Sequence, residues 1–245
     1  LDVDSAFYYY HHSKDISKAM NDSLEVGRRL LSIANLQREA KDYLGSEISS
    51  VEALQYLEPI KSFRYIVSVY NNIALISSEL NRDKDAEKNY NHALKLNEFL
   101  VDSKRLHRNL LYITNNLGLL YQNKQEHKKA VEYFKKGLNF DSLKTKFPKH
   151  YCLLLENLAF SEYSLGKKEN TLKRYNEVLA VRTELKEDNE LSTTHMNISN
   201  HYRDFNQNKK AIFHANEALQ YAQQTHNNKR WLEALRMLSE LSTGV

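Results

Sequence analysis

Residues 73–94 read IALISSELNRDKDAEKNYNHAL, and residues 117–138 read LGLLYQNKQEHKKAVEYFKKGL. Both set an apolar–small pair (Ile73-Ala74, Leu117-Gly118) about a dozen positions ahead of a small residue (Ala86, Ala130). An aromatic follows four residues on (Tyr90, Phe134), then another small residue three beyond it (Ala93, Gly137). The pattern returns at Leu158-Ala159 with Thr171, Tyr175 and Val178, and at Ile198-Ser199 with Ala211 and Ala218. Repetition at about forty residues means stacked supersecondary units, which form binding surfaces more readily than reaction centres.

Each copy reads as two amphipathic helices, A then B. In the clearest one, helix A runs from Arg64 to Leu80, with Ile66, Ile73 and Leu80 at sevens. Helix B runs from Lys84 to Glu98, with Ala86, Tyr90, Ala93 and Leu94 at threes and fours. Both spacings follow the helical period. The small residues let helices approach closely, and Tyr90, Phe134 and Tyr175 fill the space they leave. Asn81, Gly166 and Asn206 share the turn position after helix A, where a left-handed residue commonly ends a helix; Gln125 is the exception. Pro59 follows the first unit's helix B, and Pro148 suits the first turn of a helix A.

Composition agrees. Six Gly and two Pro in 245 residues are too few for a strand-and-turn protein, which leaves an all-α class. A net charge of +4, from 35 basic and 31 acidic residues, is too balanced for a nucleic-acid surface. No apolar run reaches the length of a membrane span. The lone cysteine, Cys152, lies in the apolar stretch 151–155 and reads as a packed thiol.

The paired positions resemble the tetratricopeptide repeat, in its long form: matched positions are spaced 40, 40, 44, 41, 40 and 40, against the family's usual 34. The resemblance implies a right-handed superhelical solenoid of antiparallel helix pairs, about 12 helices in all. It divides the chain into a lone helix B at 4–19, pairs at 22–60, 61–98, 103–142, 148–186 and 188–224, and a lone helix A at 227–241. The first pair is degenerate, with Ser46 and Ser50 at the small and aromatic sites. Both ends cut through a unit, so a cap or further protein is expected beyond them.

The family resemblance also implies that the A helices line the concave face. There Asn72, Asn116, Asn157 and Asn197 share one register position, directly before the large–small pair. Asparagine is a mediocre helix former, so four in register need a reason. Either they form a ladder whose amides bond the backbone of an extended peptide, or they bond a neighbouring helix. Asn71, Asn115, Tyr112, Asn200 and Arg203 sit nearby as further groove candidates, and Arg64 and Arg108 could meet an acidic ligand. Tyr8-Tyr9-Tyr10 and His11-His12 form an aromatic end, read either as half-exposed packing or as a contact surface, including one for a second copy of the chain.

No phosphate-binding loop, dinucleotide fingerprint, nucleophile elbow or zinc-binding helix motif is present, and the histidines are dispersed. The expectation is a non-enzymatic module with no cofactor and no metal, whose partner is a protein or extended peptide. The Asp-Ser-Ala-Phe-Tyr-Tyr-Tyr opening and the Asn- and Tyr-rich long repeats also resemble the repeat domains of Bacteroidetes-type sensor histidine kinases and regulators. That implies a sensing segment of a larger signalling protein, extracytoplasmic in that case. A free-standing adaptor or cytoplasmic peptide receptor is the other reading.

Overall fold

A computed structural model describes the backbone of residues 3–100, 103–140 and 142–243, and side chains at 5–100, 108–140 and 142–243. His107, one of the dispersed histidines, lies outside the described side chains. The chain forms two compact units, 1–124 and 125–245. The first holds α1 (Val3–Ala19), α2 (Ser23–Glu39), α3 (Tyr43–Leu57), α4 (Phe63–Glu79), α5 (Asp83–Asn97) and α6 (Ser103–Asn123). The second holds α7 (His127–Leu138), α8 (Leu143–Lys146), α9 (Pro148–Ser164), α10 (Thr171–Leu185), α11 (Asp188–Asp204), α12 (Asn208–Gln224) and α13 (Asn228–Thr243). Among the described residues there is no strand. The A helices are α2, α4, α6, α9, α11 and α13. Of the rest all are B helices save α8, a single turn in the connection leading to α9, where Pro148 takes the first turn.

The turns explain why consecutive helices double back. Asn21, Lys41, Lys61 and Asn81 have positive φ and are spaced by 20 residues; Gly166, Lys186, Asn206 and His226 repeat that spacing. The true structural period is therefore half the sequence repeat: one helix and its turn. At each of these turns the left-handed residue donates its amide to the carbonyl three back, and the next residue donates to the carbonyl five back. Lys41 N–Arg38 O (2.9 Å) and Asp42 N–Gln37 O (2.8 Å) are one example. This is the Schellman arrangement, and it satisfies carbonyls that the helix end would leave unpaired. The following residue already caps the next helix: Asp22 Oδ1 accepts from Glu25 N at 3.0 Å, and Asp42 Oδ1 from Gly45 N at 2.9 Å. Gln125, which the sequence marks as an exception, adopts the same left-handed geometry at φ 59°.

The repeat residues pack as their sizes require. Ala74, Ala86, Ala93, Ala130, Ala159, Ser199, Ala211 and Ala218 are fully buried, as are Tyr90 and Phe134, while Tyr175 is nearly so. In the first unit Val26, Leu30, Leu31, Ala53, Leu57, Ile66, Val69 and Ile73 make one cluster across α2, α3 and α4. In the second, Met196, Ala211, Ala215, Ala218, Ala234, Met237 and Leu241 join α11, α12 and α13. Each buried large aliphatic stabilises by about 1.5–3 kcal/mol relative to exposure. Gly27 sets the closest approach: a Cβ there would lie 2.4 Å from Leu57 Cγ, so no side chain fits between α2 and α3.

Candidate ligand-binding grooves on the A helices

Where the first helix pair has Ser50 in place of its aromatic, a polar cluster replaces it. Ser46 Oγ donates to Ala34 O at 2.6 Å, and the short Ser50 leaves room for Asn72. The amide of Asn72 donates to Ser46 Oγ (3.2 Å) and Ser50 Oγ (3.0 Å), and its Oδ1 accepts from Arg38 Nε at 2.8 Å. With 2% of its surface exposed, Asn72 has spent its amide inside the chain. Ile33-Ala34 follows Leu31-Ser32, so α2 offers no acceptor at the matching position and Asn72 turns to α3 instead.

The other register asparagines show a rule. Asn116 Nδ2 donates to Asn71 Oδ1 at 3.3 Å, and Asn197 Nδ2 donates to Glu156 Oε1 at 3.0 Å. In each case the acceptor sits on the preceding A helix, one residue before that helix's own register asparagine. The amides of Asn72, Asn116 and Asn197 thus tie neighbouring helices together. Asn157 is half-buried on α9.

A groove of about 360 Å³ opens in the first unit, its described lining residues all on α2, α4 and α6. Asn71, Asn72 and Tyr112 line it, joined by Asn35, Arg38, Arg108 and Asn109, which supply most of its donors. Asn115 is buried, and Tyr112 is half-exposed. In the second unit a pocket of about 290 Å³ gathers Asn197, Asn200 and Arg203 with Phe160, Tyr163, Tyr175, His201 and Asp204. Here Arg203 is already engaged, with Nη1 3.1 Å from Glu240 and Nε 3.5 Å from Asp204. Tyr163 donates its hydroxyl to Asp204, and burial with that bond pushes the phenol well above its ordinary range. Arg64 lies outside both grooves and sits over the Tyr65 ring at 5.0 Å.

Two features of the second unit carry no signal in the repeat pattern. Arg182, 2% exposed, donates to Glu156 Oε2 at 2.8 Å, to Thr194 Oγ1 at 2.5 Å and to Glu190 O at 3.2 Å. It is a buried ion pair knotting α9, α10 and α11, with Glu156 shared between Arg182 and Asn197. The second feature is a histidine pair: His195 Nδ1 lies 2.9 Å from His214 Nδ1. Tyr221 stacks on His195 and Tyr202 on His214, at 5.7 and 5.6 Å. Burial, then the neighbouring His214, pushes His195 down to about 4, and burial lowers His214. One ring must donate and the other accept, so at least one imidazole must be neutral.

Cys152 is enclosed, and burial pushes its thiol up to about 11, which makes it inert. Among the described residues no group of three His, Cys, Asp or Glu is placed to hold a metal, and no helix is long and apolar enough to cross a membrane.

Residues 67–99 and 113–142 match the family model for the tetratricopeptide repeat. No curated protein sequence matches the chain. Several solved structures share the fold. BtubC from P. vanneervenii is 18% identical with a TM-score of 0.76, and the match covers 93% of each chain. A Signal Transduction ATPase with Numerous Domains, with a tetratricopeptide repeat sensor, from Pyrococcus horikoshii is 16% identical with a TM-score of 0.76. That match covers 90% of this chain and 34% of the ATPase. A Rap protein complexed with Competence and Sporulation Factor is 14% identical with a TM-score of 0.63, covering 97% and 69%. At these identities the structures share the fold alone. Helix pairs, buried small positions and the two matched repeats give the chain a tetratricopeptide-repeat-like fold, that of a protein-interaction module.

Proposed function

We propose that the chain is the ligand-sensing segment of a larger signalling protein and reads an extended peptide along its A helices. The observation that carries this is the first unit's groove. Three successive A helices contribute polar side chains to one cleft, while the B helices contribute none. Regular helices holding varied side chains suit sequence-selective recognition, because the scaffold need not reorganise on binding. Two structural likenesses support the sensing role: the ATPase whose repeats form a sensor, and the Rap protein bound to a factor. Ligand binding would then bias an output domain by favouring one arrangement of the repeats.

One observation favours a free-standing adaptor instead. BtubC is matched over 93% of its own length, so a protein of little more than this fold also occurs. Peptide display against the chain tests the binding role. Selected peptides carrying a photo-crosslinker should mark α2, α4 and α6, and crosslinks confined to the B helices would contradict the groove. Joining the chain to its natural downstream sequence and measuring output with and without such a peptide separates sensor from adaptor. An output that does not respond contradicts the sensor.

A further inference from the structure

The polar lining of the first unit's groove includes two arginines, and this bears on the ligand's chemistry. Arg38 and Arg108 both line it, and among the described residues no Asp or Glu does. Arg38 Nε is held by Asn72 Oδ1, which leaves the terminal nitrogens of its guanidinium as donors. Asn72 contributes no free N–H, since Ser46 and Ser50 take both. Asn109 Nδ2 is enclosed and finds no acceptor among the described residues. A buried donor left so is unfavourable by about 1–3 kcal/mol, and an incoming acceptor would recover that. The second unit's pocket differs: Asp204 lines it, and Arg203 is paired with Asp204 and Glu240. Its positive charge is cancelled where the first unit's is not.

We infer that the first unit's groove holds an acidic side chain of the bound peptide, its carboxylate accepting from Arg108, Asn109 and the terminal nitrogens of Arg38. A carboxylate is acceptor-only when ionised, and its two oxygens match a guanidinium fork. A volume of about 360 Å³ fits one or two side chains, so the groove is an anchor within a longer binding surface. The inference rests on the peptide-reading function proposed above.

The test uses the whole chain and three fluorescein-labelled peptide pools of equal length, read by fluorescence anisotropy. One pool carries Asp or Glu at fixed positions, one carries Asn or Gln there, and one carries Lys or Arg. All have amidated C-termini, so the carboxylate comes from side chains alone. The acidic pool should bind about tenfold more tightly than the amide pool, as one charged hydrogen bond implies. Arg108→Gln and Asn109→Ala should each erase most of that margin with a thermal melt no lower than that of the unaltered chain. Inorganic phosphate at millimolar concentration should not displace the acidic pool. Equal binding of the acidic and amide pools, or preference for the basic pool, overturns the acidic anchor and leaves peptide reading intact. Displacement by phosphate also overturns it, marking a free-anion site. Binding by no pool overturns both.

Discussion

Asn197 on α11 donates to Glu156 on α9 at 3.0 Å, while the other oxygen of that carboxylate accepts from the buried Arg182. A register asparagine therefore completes the partners of a buried ion pair. Replacing Asn197 with Ala should lower stability by about 1 kcal/mol. Asn197→Asp should lower it further, because a second carboxylate would face Glu156. Urea melts of both variants measure this, and an Asp variant as stable as wild type would contradict it.

Arg182→Met should be costly, by about 3–5 kcal/mol, since it strands Glu156 in a buried site. Adding Glu156→Gln should recover part of that loss, because the stranded charge goes. A double-mutant cycle reads the coupling directly. Additive losses would mean the two residues do not act as a pair.

Stability should fall on acidification in a way traceable to His195 and His214. Their imidazoles titrate lower in the fold than the ordinary value of 6.5, His195 at about 4. The unfolded chain then binds more protons between those values. Stability is full above about pH 6.5 and declines as pH falls toward 4. Thermal melts at pH 7.5 and 5 should show a drop that His195→Phe reduces. An equal drop in that variant would locate the proton uptake elsewhere.

The turns offer a gain. Lys61 and Lys186 hold left-handed geometry that costs an ordinary residue about 1–2 kcal/mol. Glycine removes that strain and gives back about 0.5–1 kcal/mol as backbone entropy. Lys61→Gly and Lys186→Gly should each raise stability by up to about 1 kcal/mol. A lower melting temperature in both would contradict the assignment.

The helix pairs were legible because small and aromatic residues recur in the sequence wherever two helices must touch. Asn81, Gly166 and Asn206 announced their turns, but Lys41, Lys61, Gln125, Lys186 and His226 could not. At Lys41, Lys61, Lys186 and His226 the conformation comes from carbonyls at helix ends, which no side chain records. The site was legible in part. Asn71, Tyr112, Asn200 and Arg203 line grooves. The register could not show that Asn72 would be consumed by two serines and Arg38. Those partners lie 22 to 34 residues away and come together only through packing. Arg38 and Asn109 stand outside the repeat pattern.

The most direct test of ligand reading along the A helices is amide NMR of the whole chain, titrated with a peptide selected for binding. Side-chain amide signals of Asn35, Asn71 and Asn109 should move with the backbone of α2, α4 and α6, while α3 and α5 stay still. Shifts confined to α3 and α5, with the groove amides unmoved at saturation, would contradict the account.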